Sequence, residues 1–77
     1  MRLCKIQEFM EQKRMPYRYH EEEGCGSIDF EHRGLSYHIW EYRDDTCGVE
    51  SNIRCCGRSE DYEGDYEEQI IAIMETW

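Results

Sequence analysis

The side chains best suited to chemistry in this chain are an aspartate and a histidine, Asp29 and His38, in a segment that alternates apolar and polar residues. A carboxylate that faces an imidazole can orient it for acid–base work. Catalysis would also need a nucleophile, and no serine or cysteine is obviously placed beside this pair. A cross-strand salt link is the commoner arrangement, and it contributes only about 0.2–1 kcal/mol. The pattern therefore favours a protein that is not an enzyme.

Cysteine and histidine side chains could also bind a metal, but their spacing argues against a zinc site. Such sites usually contain two close pairs of ligands, for example Cys-x-x-Cys. The close pair here is Cys55-Cys56, and adjacent residues rarely point at one ion. We therefore expect no metal and no cofactor, whereas a redox role for the thiols of Cys55 and Cys56 stays open. The other candidates are scattered over different predicted elements: Cys4, Cys25, Cys47, His20, His32 and His38.

The composition indicates a small, acidic, folded protein. Its 77 residues include 18 acidic and 9 basic side chains, which gives a net charge of −9. This charge repels the phosphates of nucleic acids and anionic lipids, so we expect neither nucleic acid nor membrane as a partner. No stretch approaches the roughly 18 consecutive apolar residues that span a bilayer. The odd number of cysteines and an N-terminal segment without a secretory apolar region predict reduced thiols and a cytoplasmic location.

A β-hairpin over residues 26–43 is predicted to position Asp29 and His38. A two-residue turn at Arg33-Gly34 sorts the side chains onto separate faces, and a one-residue slip would destroy this sorting. The apolar face receives three cross-strand pairs: Ile28–Ile39, Phe30–Tyr37 and His32–Leu35. The polar face receives the other three: Ser27–Trp40, Asp29–His38 and Glu31–Ser36.

A preceding strand over residues 17–23 is predicted to pair with this hairpin. Gly24-Cys25 fits a two-residue turn with glycine at its first position. The resulting register extends the apolar face of the hairpin through two pairs: Tyr19–Phe30 and Tyr17–His32.

A further strand follows the hairpin over residues 47–54, and its register depends on the loop before it. A two-residue loop would place Val49 opposite Trp40, on the polar face. A three-residue loop over 44–46 restores the sorting, and so does a bulge at Gly48. Both alternatives remain open at this point. The three-residue loop predicts the pairs Ser51–Ile39 and Ile53–Tyr37.

Two amphipathic helices are predicted to flank the sheet. Apolar side chains recur at three- and four-residue spacings in residues 2–14, and a proline follows. A second helix is predicted to begin at Asp65, which has the spacing of a capping box with Glu68. This helix runs to the end of the chain, where we expect Trp77 to pack. Residues 55–64 carry turn-forming and charged residues without a period, and we assign them to a loop.

These elements predict one α+β domain over residues 1–77. Its order is an N-terminal helix, a four-stranded antiparallel β-meander and a C-terminal helix, with both helices on one sheet face. The opposite face is then open, unless a helix or the loop 55–64 covers Trp40 and Tyr42. A cluster of exposed aromatic side chains often marks the surface for a partner. The candidate binding face comprises Asp29, His38, Trp40, Tyr42, Glu50 and Asn52.

These patterns alone do not establish an activity. The sequence contains no phosphate-binding loop, dinucleotide fingerprint or nucleophile elbow. The favoured hypothesis is a protein-interaction module that contacts a protein partner, or a second copy of itself, through Trp40. The alternative hypothesis is a domain that binds a small ligand or a metal through His38 and the polar and aromatic groups around it.

Overall fold

The computed structural model describes residues 2–43, 47–55 and 58–77. Within these ranges the chain forms one antiparallel sheet of five strands in sequence order, preceded by one helix and followed by another. The α+β class and the helix–meander–helix order are confirmed, with five strands where four were predicted. The elements are α1 (Cys4–Gln12), β1 (Tyr17–Glu22), β2 (Cys25–His32), β3 (Leu35–Arg43), β4 (Cys47–Cys55), β5 (Arg58–Glu63) and α2 (Tyr66–Met74).

The central hairpin of β2 and β3 has the predicted register. Every predicted cross-strand pair is formed, Asp29–His38 among them. The turn residues Arg33 and Gly34 have φ angles of 53° and 81°. Positive φ at both positions is typical of a type I′ turn, whose twist matches that of the two strands it joins. The turn and the alternation of side chains therefore specify the same register.

The predicted turn at Gly24-Cys25 is wrong by one residue. The turn residues are Glu23 and Gly24, with φ angles of 52° and 77°, so glycine occupies the second turn position, as in the β2–β3 turn. The strand before the turn is consequently displaced by two residues relative to β2. A displacement by two keeps every side chain on its predicted face. The observed pairs are Tyr17–Phe30 and Tyr19–Ile28.

Strand β4 pairs with β3 in the register that the three-residue loop predicts, with Ser51 opposite Ile39. Residues 44–46, the loop itself, lie outside the described residues. The ladder between the described parts of β3 and β4 ends at this pair, so the predicted pairing of Ile53 with Tyr37 is not formed.

The predicted loop over residues 55–64 is wrong, because Arg58–Glu63 form the edge strand β5. Tyr62 lies opposite Val49 and is buried. It is the one apolar side chain of the strand, so the alternation that identifies a half-buried strand is missing from the sequence. Charged side chains are typical of edge strands, because they discourage pairing with other chains.

Both helices pack on the sheet face that carries Ile28 and Ile39, as predicted. Ile6 and Met10 of α1 and Ile70 of α2 are fully buried in this core. Neither of the two described helices is long and apolar enough to cross a membrane. The remaining buried apolar residues are Leu3, Phe30, Val49, Ile53, Tyr62 and Met74.

The start of α1 is capped by a side chain of α2. Helix α1 has no side-chain cap of its own, and Glu67 Oε1 accepts hydrogen bonds from the backbone N–H groups of Lys5 (3.0 Å) and Ile6 (3.3 Å). These are N–H groups that a helix leaves without an internal partner. Within residues 58–77, Asp65 lies at the N-cap of α2 without a side-chain cap hydrogen bond. The predicted capping box of Asp65 and Glu68 is therefore not formed.

The last residue packs in an aromatic cluster, as predicted for Trp77. Its ring centroid lies 4.5 Å from that of His32, 5.0 Å from that of Tyr37 and 6.1 Å from that of Phe30. His32 is the last residue of β2 before the β2–β3 turn, so this cluster closes the core at that end of the sheet.

Candidate functional site

The sheet face opposite the helices contains all six residues of the predicted binding face. Directly paired residues on neighbouring strands share a face, so the register shows on which face of the sheet each side chain lies. We call this surface the open face. The strand pairing builds it from the rows Arg18–Asp29–His38, His20–Ser27–Trp40–Glu50–Asp61 and Tyr42–Gly48–Glu63.

Trp40 is the most prominent side chain of the open face. Its indole stacks on the imidazole of His38, with ring centroids 4.0 Å apart and an angle of 25° between the planes. The residue is nevertheless 45% exposed. The alternative in which a helix or the segment 55–64 covers Trp40 is therefore wrong. One face of the indole rests on the protein, and a large part of the rest is available to a partner.

His38 is held in place from β4 and β5. Its backbone N–H donates to Asn52 Oδ1 (3.0 Å), and its carbonyl oxygen accepts from Ser51 Oγ (2.6 Å). Its ring nitrogen Nε2 lies 3.2 Å from Ser59 Oγ. Because His38 is fixed in this way, the imidazole provides a rigid support for Trp40. The sequence did not reveal Ser59 as part of the surface, because its segment was assigned to a loop.

Asn52 and Tyr42 shape the two ends of the surface. The amide of Asn52 also donates to the carbonyl oxygen of Ser36 (3.2 Å), so this side chain joins β4 to β3 beyond the end of their ladder. Tyr42 lies across Gly48, where a Cβ atom would be 2.8 Å from the tyrosine hydroxyl oxygen. Glycine at position 48 therefore gives the phenol ring room to lie flat over β4.

The acid–base pair that the sequence suggested is not formed. Asp29 and His38 are cross-strand partners, but among the described residues no hydrogen bond or ion pair joins their side chains. The imidazole contacts Ser59 instead, a nucleophile–base contact that lacks a carboxylate to orient the base. Acyl transfer needs all three groups and a donor pair for the oxyanion. The described residues around His38 therefore do not form the set of groups that acyl transfer requires.

Two carboxylates lie beside Trp40. Glu50 is its direct partner on β4, and Asp61 is the direct partner of Glu50 on β5. Among the described residues, neither carboxylate forms a hydrogen bond or an ion pair. Like charges directly opposite each other destabilise a sheet. This arrangement therefore gives the face a local negative charge that the described chain leaves unbalanced.

A buried carboxylate lies on the covered face, directly after Trp40 in the chain. The side chain of Glu41 is 1% exposed. Its Oε1 accepts from the backbone N–H of Gly26 (2.9 Å), and its Oε2 accepts from the Tyr66 hydroxyl (2.6 Å) and from Arg2 Nη2 (2.9 Å). Arg2 Nε donates to Oε1 as well, so the guanidinium and the carboxylate pair through two hydrogen bonds. This cluster joins the N-terminal segment, the sheet and α2.

Opposing effects act on the pKa values of this cluster. Burial raises the pKa of Glu41, but the hydrogen bonds from Arg2, Tyr66 and Gly26 outweigh it and hold that pKa below 4.5. The hydrogen bond to Glu41, followed by burial, raises the pKa of Tyr66 from 10.0 to about 12. The same carboxylate raises the pKa of Arg2. The three groups therefore keep their ordinary charges over the neutral range.

Glycine at position 26 leaves room for the cluster around Glu41. Alternation along β3 places Glu41 on the same face as Ile39, one residue beyond the last β2–β3 pair, Ser27–Trp40. A Cβ atom at Gly26 would lie 3.1 Å from the Tyr19 ring and 3.2 Å from Arg2 Cβ. The absence of a side chain at position 26 therefore provides the space that the Arg2 side chain occupies.

No metal centre is formed by the part of the chain that the structure describes, because no three histidine, cysteine, aspartate or glutamate side chains are close enough to hold one ion. The thiol role considered for Cys55 and Cys56 falls on side chains outside that part. The chain matches no family model, and neither a curated protein nor a solved structure is significantly similar to it.

Proposed function

We propose that this protein is a protein-interaction module that binds a basic segment of a partner protein on its open face. The observation that carries the proposal is Trp40, which is 45% exposed on the central strand of a sheet face opposite both helices. Tryptophan is enriched among the few interface residues that contribute most of the binding free energy, and these residues cluster near the centre of an interface.

The charge of the open face supports a basic partner. Positively charged segments are steered towards such a surface and dock there in a preferred orientation. A second copy of the chain would bring two faces of the same sign together, which disfavours self-association. Arg18 contributes one positive charge, and the acidic side chains of the face are Glu22, Asp29, Glu31, Glu50, Asp61 and Glu63.

The contacts beneath Trp40 support its role as an anchor. An anchor that is already ordered before binding loses less side-chain entropy on association. The stack on His38 restricts the indole, and Asn52 and Ser59 restrict His38 in turn. A partner would therefore meet a prepared aromatic surface rather than a mobile side chain.

The shape of the open face favours a segment of protein over a small ligand. A broad concavity of about 670 Å³ lies over β1, β2 and β3. Its polar lining residues are Arg18, Asp29, Glu31 and Ser36, and its other lining residues are Pro16, Tyr17, Phe30 and Tyr37. Small-molecule sites are mostly apolar and enclose most of the ligand. An open, charged depression suits the side chains of an extended peptide better.

The cysteines support a cytoplasmic location for this interaction. Cys25 and Cys47 are free thiols, and Cys47 is exposed. Exposed thiols persist where glutathione and thioredoxin keep them reduced. We therefore place the partner in the same compartment.

The test is an NMR titration of the isotope-labelled protein with a short peptide in which arginine and lysine alternate with glycine and serine. We expect the resonances of His38, Trp40 and Asn52 to shift, and the indole signal of Trp77 on the covered face to stay. Trp40→Ala should lower the affinity at least tenfold, as expected for an interface anchor. The matched control is Leu35→Ala, which removes an apolar side chain that is 48% exposed on the opposite face.

Two results would overturn the proposal. In the first, Trp40→Ala and Leu35→Ala change the affinity for the basic peptide equally. In the second, a peptide with glutamate in place of the basic residues binds as tightly as the basic peptide does. Sedimentation of the protein alone provides a second check. A dimer that Trp40→Ala dissociates would contradict the basic partner and would support self-association through the same face.

A further inference from the structure

We propose that Trp40, Glu50 and Asp61 form a recognition site for the side chain of an arginine within the bound segment. The site belongs to the open face, and it therefore depends on the function proposed above. It adds the identity of one residue that the partner must present.

The three side chains lie in one row across β3, β4 and β5. Trp40 is directly opposite Glu50, and Glu50 is directly opposite Asp61. Neighbouring strands lie about 4.8 Å apart, so Trp40 and Asp61 flank Glu50 on opposite sides across a span of about 10 Å. A planar cation above Glu50 therefore lies between the indole and the second carboxylate. His38 covers one face of the indole from below, which leaves the partner the exposed remainder.

Arginine fits this arrangement better than lysine does. Its guanidinium is planar and weakly hydrated, so it stacks on an indole while its N–H groups donate to a carboxylate through two parallel hydrogen bonds. An ammonium group is a compact, strongly hydrated charge without a plane to stack. Glu50 and Asp61 have no partner among the described residues, so their acceptor capacity is available to the incoming side chain.

The same two carboxylates burden the fold while the site is empty, because like charges directly opposite each other destabilise the sheet. A bound guanidinium removes this repulsion. Asp61→Asn should therefore make the free protein more stable and its arginine binding weaker. A carboxylate with a purely structural role would show the opposite change in stability.

The experiment uses three peptides with lysine, glycine and serine at all positions except the central one, which is arginine, lysine or citrulline. Citrulline keeps the planar shape and loses the charge. We expect the arginine peptide to bind about threefold more tightly than the lysine peptide, and the citrulline peptide to bind most weakly. The readout is the indole signal of Trp40 and the amide signals of Glu50 and Asp61.

Variants test whether Glu50 and Asp61 cause the preference for arginine over lysine. Glu50→Gln and Asp61→Asn should each bring the affinity of the arginine peptide close to that of the lysine peptide, and Asp61→Asn should raise the melting temperature of the free protein. The matched control is Glu31→Gln on the same face, opposite Ser36. It removes the same charge away from Trp40, so it should weaken both peptides equally and keep the preference.

The outcomes separate the two proposals. If all three peptides bind equally and binding still requires Trp40, the arginine site is refuted and the interaction function stands. If Glu31→Gln abolishes the preference for arginine over lysine as strongly as Glu50→Gln does, then Trp40, Glu50 and Asp61 do not form the arginine site. If none of the peptides binds, both proposals fail.

Discussion

Replacement of Glu41 by alanine tests how the core is held together. The carboxylate accepts hydrogen bonds from the backbone N–H of Gly26, the hydroxyl of Tyr66 and the guanidinium of Arg2, and its side chain is 1% exposed. Alanine would leave these donors without their acceptor, and the N–H of Gly26 is buried. The variant should therefore lose far more stability than its exposed counterparts.

The expected loss follows from the donors that stay buried. A buried donor without an acceptor costs about 1–3 kcal/mol, and Gly26 and Tyr66 contribute one such donor each, the second only half-buried. Arg2 adds little, because its side chain is 34% exposed and can turn to water. The free energy of unfolding should fall by about 2–4 kcal/mol, from a total on the order of 4–12 kcal/mol for a domain of this size. The melting temperature should fall by roughly 10–30 °C.

The assay is urea unfolding at neutral pH, followed by far-ultraviolet circular dichroism. Glu8→Ala, on the exposed side of α1, is the matched control and should change stability by no more than about 0.5 kcal/mol. Glu41→Gln keeps one acceptor oxygen and the shape of the side chain, so its loss should be intermediate. Equal stabilities of Glu41→Ala and Glu8→Ala would refute the role assigned to this carboxylate.

The pH dependence of stability provides an independent reading of the same cluster. Because folding lowers the pKa of Glu41 below 4.5, its contribution is present above pH 4.5 and is lost as the pH falls through the folded value. Folding raises the pKa of Tyr66 from 10.0 to about 12, so its contribution is complete below pH 10 and is lost as the pH rises through about 12. Glu41→Gln should make the free energy of unfolding depend less steeply on pH below pH 4.5. An unchanged pH dependence in that range would contradict the role assigned to Glu41.

Three further substitutions have definite expected results. Glu67→Ala removes the cap of α1, so it should lower the free energy of unfolding by about 0.5–2 kcal/mol and speed the hydrogen exchange of the Lys5 amide. Unchanged exchange would exclude capping in solution. Arg33→Asn places a residue that tolerates positive φ in the β2–β3 turn and should raise the free energy of unfolding in urea by about 0.5–1 kcal/mol; a lower value would contradict the type I′ turn. Trp77→Ala removes the ring stacked on His32. Because the indole is half-buried, the free energy of unfolding from thermal melts should fall by about 1–3 kcal/mol. An unchanged melting curve would show that the indole does not pack.

The central hairpin could be predicted because two independent signals agree. Arg33-Gly34 provides the turn, and the alternation around it separates Phe30 and Tyr37 from Asp29 and His38. The same reasoning missed the turn before β2 by one residue, because glycine serves both as the first residue of one turn type and as the second of another. Side-chain alternation could not correct this error, since it is unchanged by a displacement of two residues.

Strand β5 and the contacts around it could not be predicted from local pattern. Its segment contains one apolar residue, Tyr62, and an edge strand needs only one covered position to pack. Once β5 is missed, Ser59 and Asp61 are missing from the open face. The binding face predicted from the sequence therefore lacked the side chains of β5, and its role in binding stays a prediction.

Glu41 was unpredictable for a different reason. A period of two assigns a residue to a face and says nothing about the partners that let a charge be buried there. Those partners, Arg2, Gly26 and Tyr66, are distant in the sequence and come together only in the folded chain. The burial of a carboxylate on an apolar face remains ambiguous until the elements that pack on that face are placed.

The register of β3 links the stability of the protein to its proposed function. Trp40 and Glu41 are consecutive, so the same pairing that buries the carboxylate among its donors turns the indole towards solvent. A one-residue slip would separate Glu41 from its hydrogen-bond donors and turn Ile39 towards solvent, and both changes are unfavourable. The buried cluster therefore specifies the face on which the indole stands as well as stabilising the core. A sheet held in one register by its interior can present a strained row of like charges on its exterior, where the proposed partner would relieve it.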